Sequence, residues 1–181
     1  VPNVPKWLSH GDVLRYEIEM MSHRPSSEVA EGLAAVKARE KTVGDSLKIN
    51  IEKFNKKQLG GLLQKTESGV SYIVHDPGEG DTIKVGRYLQ VHYFGALMDG
   101  TAYDNSFKNA RPFPFQVGRG RVIKGWDDGL KNAKKGSKLT LFIPYKLAYG
   151  EAGKPSPDGG ETITIPARAN MAFYVEVLDV R

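Results

Sequence analysis

The sequence predicts an α+β fold, in which an antiparallel sheet with one short helix follows a long helix and a strand-like segment. Three observations lead to this prediction. Short runs rich in β-branched and aromatic residues recur from about residue 67 onward, and turn signals separate them. A single short helical stretch interrupts these runs. A longer charged stretch with a narrow apolar stripe precedes them.

Residues 1–24 form the first predicted region. The run "VLRYEIEMM" alternates apolar and charged residues, a period of two that is typical of a half-buried strand. A lone strand cannot bury its apolar face. The segment is therefore expected to join a sheet, either that of the main domain or that of a partner chain.

Residues 25–66 are predicted to form a long helix and a linker. Pro25, the following serines and the early glutamates are typical of a helix start. Gly44 is expected to bend or interrupt the helix, and "LGG" at 59–61 is expected to end it. The apolar stripe consists of Val29, Leu33, Val36, Val43, Leu47 and Phe54, with Glu40 and Asn50 at the missing steps. Such a stripe fits self-association and docking on the same chain equally well.

Residues 67–181 are predicted to form the main, strand-rich domain. The short helix of the domain is expected at "KGWDDGLKNA", and turns are expected at "DPGEGD", "MDGTAYD", "NARP", "KKGS" and "KPSPDGGE". The predicted strands are "GVSYIVHD", "RYLQVHYFGAL", "FPFQVG", "SKLTLFI" and "MAFYVEVLDV".

Composition and motifs argue against several classes of function. The 181 residues are 40% hydrophobic and 26% charged, as in soluble globular proteins. Cysteine is absent, so disulfides, thiol nucleophiles and thiolate metal sites are excluded. The four histidines lack metal-ligand spacing, and no Gly-x-Ser-x-Gly occurs, so we expect no metal and no cofactor. The net charge of +5 is dispersed, which disfavours nucleic acid as a partner.

Aromatic residues in turn-like segments are the positive signal for a site. Tyr103, Trp126 and Tyr149 each lie beside a charge or a glycine. Any one of them could belong to the core. Together, aromatic side chains on loops predict an apolar concave pocket with a few polar groups.

Several motifs in residues 69–181 resemble one known family. The stretches "VHYFGALMDGTAYDNS", "PFPFQVGRGRVIKGWDDGL", "GSKLTLFIPYKLAYGEAG" and "IPARANMAFYVEVLDV" closely resemble the FK506-binding-protein (FKBP) type of peptidyl-prolyl cis-trans isomerase. The resemblance implies an antiparallel half-barrel sheet wrapped around one short helix, with a proline pocket between them. It also implies catalysis without a metal, a nucleotide or a covalent nucleophile.

The resemblance assigns roles to ten residues. It implies that Trp126 is the floor under the proline ring, and that the Ile123 N–H and the Tyr149 hydroxyl donate to substrate carbonyls. Asp104 would be an electrostatic and orienting residue paired with the Tyr93 hydroxyl. The catalytic set is Tyr93, Asp104, Ile123 and Tyr149, and the substrate-binding set is Tyr103, Phe113, Val122, Trp126, Ile165 and Phe173.

Some positions depart from the family pattern. The loop "KPSPDGGETIT" is longer than in the smallest members, and Lys154 replaces a commonly apolar or histidine position. Asn109 stands where a basic partner of the aspartate is common. Gly125 is expected to provide a tight turn beneath the ligand. Asp127 and Asp128 are interpreted as first-turn helix acids rather than catalytic carboxylates.

The sequence therefore predicts a prolyl isomerase with foldase or chaperone character. The expected partners are unfolded polypeptides that contain proline, and macrolides such as FK506 or rapamycin as inhibitors. The alternative is a non-catalytic module that binds proline peptides. Some bacterial family members carry a long N-terminal helix and dimerise through this region, which suggests a homodimer.

The resemblance and the composition also bear on origin and location. "YEIEMM" at 16–21 is similar to "FYVEVL" at 173–178, so residues 1–24 could be the remnant of a preceding FKBP-like domain. Absent cysteines and the resemblance to secreted bacterial members favour the periplasm or cell surface over the cytoplasm. A lipid anchor upstream of residue 1 is compatible with that location.

Overall fold

The computed structural model describes residues 26–155 and 165–181, so the strand predicted within residues 1–24 lies outside the described residues. These residues contain two helices, seven strands and two short 3-10 turns, with loops between them. The 3-10 turns are at Gly60–Leu62 and Tyr145–Leu147. In chain order the helices and strands are α1 Ser26–Asn55, β1 Gln64–Lys65, β2 Ser71–Asp76, β3 Tyr88–Leu97, β4 Ala102–Asn105, β5 Phe113–Gln116, α2 Lys124–Gly129, β6 Lys138–Ile143 and β7 Met171–Val180.

The seven strands form one sheet in which every described pair is antiparallel. The order across the sheet is β1-β2-β6-β7-β3-β4. One edge of β3 pairs with β7, and the other edge is shared: β5 pairs with its first half and β4 with its second half. These findings confirm the predicted α+β class, with an antiparallel sheet, a short helix and a long preceding helix.

Both faces of the sheet are covered, because alternate side chains of a strand point in opposite directions. In β6, Leu139 and Leu141 belong to the core that contains α2, whereas Phe142 contacts α1. All of β6 beyond its first residue is buried. The run "SKLTLFI" is therefore nearly continuous in apolar residues instead of alternating apolar and polar ones.

The C-terminal part of α1 packs on the sheet face opposite to α2. Val43, Leu47 and Ile51 are buried there, and the ring of Phe54 stacks on that of Phe142 at 4.1 Å. This part of the apolar stripe therefore docks on the sheet of the same chain. Ile51 was missing from the predicted stripe, although it lies four residues after Leu47.

The contacts divide the chain into two compact units, residues 1–36 and residues 37–181. Of the first unit only the beginning of α1 is described. On it Val29 and Leu33 are 45% and 43% exposed. The alternative of self-association therefore stays a prediction for this end of the helix.

The structure corrects the expected interruption of α1 at Gly44 and its expected end at "LGG". The helix is not interrupted at Gly44, where a Cβ would lie 3.0 Å from Cζ of Phe94, so the glycine permits close approach of the helix to β3. The helix also ends before "LGG". Lys57 adopts a left-handed conformation with φ 55°, and the Gln58 N–H donates to the Lys53 carbonyl at 2.8 Å. This cap usually employs glycine, which is why the sequence indicated the later position.

The end of the predicted turn "MDGTAYD", residues 98–104, overlaps a strand. Residues 102–105 form β4, whose pairing with β3 provides hydrogen bonds that local turn propensity does not reveal. Neither helix of the described part is both long enough and apolar enough to cross a membrane.

Candidate active site

A cavity of about 410 Å³ lies beside α2 on the core side of the sheet, a volume within the range of small-ligand sites. Strands β3, β4, β5 and β7, the segment before α2, and the segment after the second 3-10 turn contribute its walls. The lining residues are Tyr93, Tyr103, Asp104, Phe113, Gly120, Arg121, Val122, Ile123, Trp126, Tyr149, Lys154 and Phe173.

Aromatic rings surround the indole of Trp126 nearly at right angles. The ring of Phe173 meets it at 90°, that of Phe113 at 83° and that of Tyr93 at 78°, with centroid distances of 5.4, 6.2 and 5.3 Å. Trp126 itself is only 4% exposed. This arrangement forms an apolar recess in which one ring lies across the base and three stand beside it.

Asp104 lies at the polar side of the cavity. The Tyr93 hydroxyl donates to its Oδ2 at 2.5 Å, and the Asn105 N–H donates to its Oδ1 at 2.8 Å. Nζ of Lys108 is 3.1 Å from Oδ1. Lys108 is thus the basic partner of the carboxylate, and it directly precedes Asn109, the position at which such a partner is common in the family.

Two groups in the lining can donate hydrogen bonds to a ligand. Burial raises the pKa of Tyr149, and the neighbouring Tyr103 raises it further, so the phenol stays protonated. The Ile123 N–H has no acceptor within residues 26–155 and 165–181. Ile123 precedes the first residue of α2, where helix N–H groups have no partners within the helix.

Close packing on β6 positions α2. A Cβ on Gly125 would lie 2.3 Å from Cγ2 of Ile143, and one on Gly129 would lie 3.1 Å from Cδ2 of Leu141. Gly125 therefore permits the helix to contact the sheet. It also lies in the first turn of α2, which the hydrogen bond from the Trp126 N–H to the Ile123 carbonyl closes at 2.9 Å. Asp127 is in the first turn as predicted and accepts from the Gly118 N–H at 2.7 Å.

Nine of the ten predicted site residues line this cavity, which brings together residues up to 80 positions apart in the chain. Ile165 is the exception. It is 1% exposed and pairs through its backbone with Lys154, which does line the cavity. The prediction did not include Gly120, Arg121 and Lys154 as site residues. Arg121 directly precedes the predicted Val122, and Lys154 had already been noted as a departure from the family pattern.

The described residues contain no group of three or more His, Cys, Asp or Glu side chains that could hold a metal ion. Besides the Tyr93 hydroxyl, the polar groups of the cavity that the site can use are the Asp104 carboxylate, the Tyr103 and Tyr149 hydroxyls, the Ile123 N–H and the cationic side chains of Arg121 and Lys154. Such a site can bind and orient an uncharged amide without covalent chemistry.

Comparisons with known proteins agree with this geometry. Residues 79–178 match the family model of FKBP-type peptidyl-prolyl cis-trans isomerases. A probable FKBP-type peptidyl-prolyl cis-trans isomerase of Haemophilus influenzae is 37% identical over 83% of this chain and 59% of its own. FkpA, an enzyme of that type from Escherichia coli, is 39% identical over 72% of this chain and 43% of its own.

The fold comparison covers more of the molecule. The crystal structure of FkpA from Escherichia coli matches 96% of this chain and 83% of its own, with a TM-score of 0.61 and 30% sequence identity. The chain spans only about half the length of the curated relatives it matches. The family match covers more than half of this chain and includes the whole aromatic recess. The chain belongs to the FKBP-type peptidyl-prolyl cis-trans isomerase family.

Proposed function

We propose that this chain catalyses cis-trans isomerisation of X–Pro bonds in unfolded or folding polypeptides, and that FK506 or rapamycin inhibits it. The observation that carries the proposal is the recess over Trp126, which has the size and apolar character to hold a proline ring. Membership of the family supports the same activity.

The chemistry of the bond explains why such a recess is sufficient. Resonance gives the amide C–N bond a rotation barrier of about 18–20 kcal/mol. The two planar isomers of an X–Pro bond differ by only about 0.5–1 kcal/mol, so both are populated and exchange slowly. Twisting the bond removes the resonance and its charge separation. An apolar cavity therefore favours the twisted amide relative to the planar one, whereas water favours the planar form.

The polar groups hold the substrate in the orientation that the twist needs. In the proposed roles, the Ile123 N–H and the Tyr149 hydroxyl donate to carbonyls on the chain around the proline. Asp104 fixes the Tyr93 ring through the 2.5 Å hydrogen bond and does not transfer a proton. Burial, followed by the hydrogen bond to Asp104, raises the pKa of Tyr93, so this donor persists at physiological pH.

Asp104→Asn is expected to reduce kcat/KM roughly ten- to a hundredfold. The substitution weakens hydrogen bonds to a charged group, which contribute about 1.5–3 kcal/mol each, and loosens the Tyr93 ring. The measurement is isomerisation of an X–Pro peptide by NMR exchange, with and without FK506. Wild type is expected to be active and inhibited.

Asp99→Asn is the matched control. Asp99 is an exposed carboxylate on the β3–β4 turn, and its contact is with the Thr101 N–H, an acceptor role that asparagine retains. Its activity should equal that of wild type. If the folded wild-type protein binds FK506 but isomerises no peptide, the proposed enzymatic activity is refuted. The alternative, a non-catalytic module that binds proline peptides, would then remain.

We also propose that the chain forms a homodimer through the beginning of α1. Support comes from Val29 and Leu33, which are apolar, four residues apart and exposed. Light scattering is expected to give a dimer for wild type and a monomer for Val29→Lys combined with Leu33→Lys. Ala30→Lys combined with Ala34→Lys, which adds the same two charges beside this stripe, should remain dimeric. A monomeric wild type would contradict the proposal.

For location, we propose the periplasm or cell surface. The absence of cysteine supports an oxidising compartment, where free thiols are a liability. Cell fractionation of the native host tests this, and recovery of the protein in the cytoplasmic fraction would overturn it.

A further inference from the structure

The charges that line the cavity do not cancel. Three lining residues carry a full charge: Asp104, Arg121 and Lys154. The carboxylate of Asp104 is already paired with Lys108, whose Nζ is 3.1 Å away. Among the described residues, the two remaining lining charges are both positive, so these residues make the mouth of an otherwise apolar recess cationic.

The backbone and two aromatic rings place Lys154. Its N–H and carbonyl both pair with Ile165, at 2.9 and 3.0 Å. Its Nζ donates to the Tyr103 hydroxyl at 2.7 Å and lies 5.5 and 5.6 Å from the ring centroids of Tyr103 and Tyr149. These contacts hold the ammonium over the recess. They involve neutral partners, so none of them neutralises its charge.

Arg121 provides a second cation beside Val122 and Ile123. Its side chain is exposed, and no carboxylate among the described residues lies within 4.0 Å of it. The nearest acids along the chain have other partners. Asp127 accepts from the Gly118 N–H, and Asp128 contacts Ser68 and Lys131.

We propose that Lys154 and Arg121 make this site select polypeptides that carry an acidic residue directly beside the proline. The inference rests on the proposed function, because it concerns substrates of the same cavity. The proline ring would occupy the recess, and a neighbouring carboxylate would lie near one of the two cations at its mouth. The carboxylate and the cation would be several ångströms apart and partly solvated. We therefore expect a preference for an acidic over a neutral residue of about three- to tenfold in kcat/KM, and we expect salt to reduce it.

The test compares peptides that differ only in charge. One series has glutamate, glutamine or lysine immediately before proline, and a second has the same residues immediately after it. NMR exchange gives kcat/KM for each, at low salt and in 1 M NaCl. In at least one series glutamate is expected to exceed glutamine three- to tenfold at low salt, with lysine lowest, and the difference should nearly vanish in 1 M NaCl.

Variants assign the preference to residues. Lys154→Gln or Arg121→Gln should reduce the ratio of glutamate to glutamine toward one in the series that shows it, while the glutamine peptide still reacts. Lys65→Gln and Arg87→Gln remove exposed cations outside the cavity and should leave the ratio unchanged. A ratio near one in both series for wild type, or a ratio that neither cavity variant alters, would overturn the inference.

The same peptides separate this inference from the proposed activity. If no peptide is isomerised, the proposed enzyme is wrong, and the dissociation constants of the glutamate and glutamine peptides from NMR titration then decide the charge preference. Equal dissociation constants would overturn the inference. The inference would be supported if the glutamate peptide binds more tightly than the glutamine peptide and if Lys154→Gln or Arg121→Gln abolishes this difference.

Discussion

Trp126→Ala is expected to reduce kcat/KM for an X–Pro peptide by about a hundredfold or more. The indole is the base of the recess, and Tyr93, Phe113 and Phe173 pack on it edge-on. Removing it takes away the surface under the proline ring and the support of the walls. The same substitution is expected to cost about 3–5 kcal/mol in the free energy of unfolding, as for other buried aromatic residues.

Two further variants separate loss of the site from loss of stability. Phe142→Ala removes a buried aromatic ring of β6 that stacks on α1 and does not line the cavity. It should lose comparable stability and keep most of its activity below its unfolding temperature. If Phe142→Ala and Trp126→Ala lose activity equally while both remain folded, Trp126 has no specific role.

Trp126→Phe makes the comparison finer. The indole Nε1 is buried and has no hydrogen-bond partner among the described residues. Phenylalanine therefore loses ring area without breaking a hydrogen bond. We expect a stability loss of about 1–2 kcal/mol and an activity between those of wild type and Trp126→Ala.

Arg39→Ala is expected to lower the free energy of unfolding at pH 7 by about 3 kcal/mol. Arg39 of α1 contacts both carboxylate oxygens of Glu176 on β7, with Nη1 3.1 Å from Oε2, and the Tyr174 hydroxyl donates to Oε1 at 2.7 Å. The Glu176 side chain is 5% exposed. Removing the arginine leaves a buried carboxylate with one donor, and the estimate is at the lower end for such pairs because Arg39 is itself partly exposed.

The pH dependence has a definite sign. Burial by itself would raise the pKa of Glu176, but hydrogen bonds from Arg39 and Tyr174 outweigh it and hold the pKa below its usual value. The stabilisation is therefore complete above the unfolded-state pKa, about 4.3, and is lost as pH falls through the lower folded-state pKa. The difference between wild type and Arg39→Ala should be largest at pH 7 and smaller at pH 3.5.

Urea denaturation at the two pH values measures this difference. Lys41→Ala is the control, because Lys41 and Asp45 form an exposed pair on the same helix, and its loss should leave the free energy of unfolding almost unchanged at both pH values. Arg39→Ala combined with Glu176→Gln should recover more than half of the loss at pH 7, because the amide is uncharged. A loss that does not change between pH 7 and pH 3.5 would contradict the electrostatic explanation.

Local sequence predicts some elements of this fold and misses others, for physical reasons. Strands such as β3 and β7 could be predicted because alternation and β-branched content are local properties. The short strand β4 could not, because it forms only by pairing with β3 across a turn rich in glycine and aspartate. The end of α1 was predicted too late in the chain because Lys57 occupies the left-handed cap position, where glycine is usual.

The candidate site shows the same distinction. Motifs in the family's order identified nine of the lining residues, since each motif is a short stretch with a recognisable pattern. Arg121 lies inside one of these motifs and Lys154 departs from the family pattern, yet neither was identified as a site residue, because lysine and arginine occur throughout a surface. Only their position beside the recess distinguishes them from the other cationic residues of the chain.

The sequence by itself determined the fold class, the family and most of the aromatic recess, because these depend on local periodicity and on short motifs. The tertiary structure alone decided that the C-terminal part of α1 packs on the sheet face opposite to α2, through contacts such as Arg39 with Glu176, 137 positions apart. It also placed Arg121 and Lys154 together in the lining of the recess. Contacts between distant residues leave no local pattern in a sequence, so only the folded chain reveals which charges lie together.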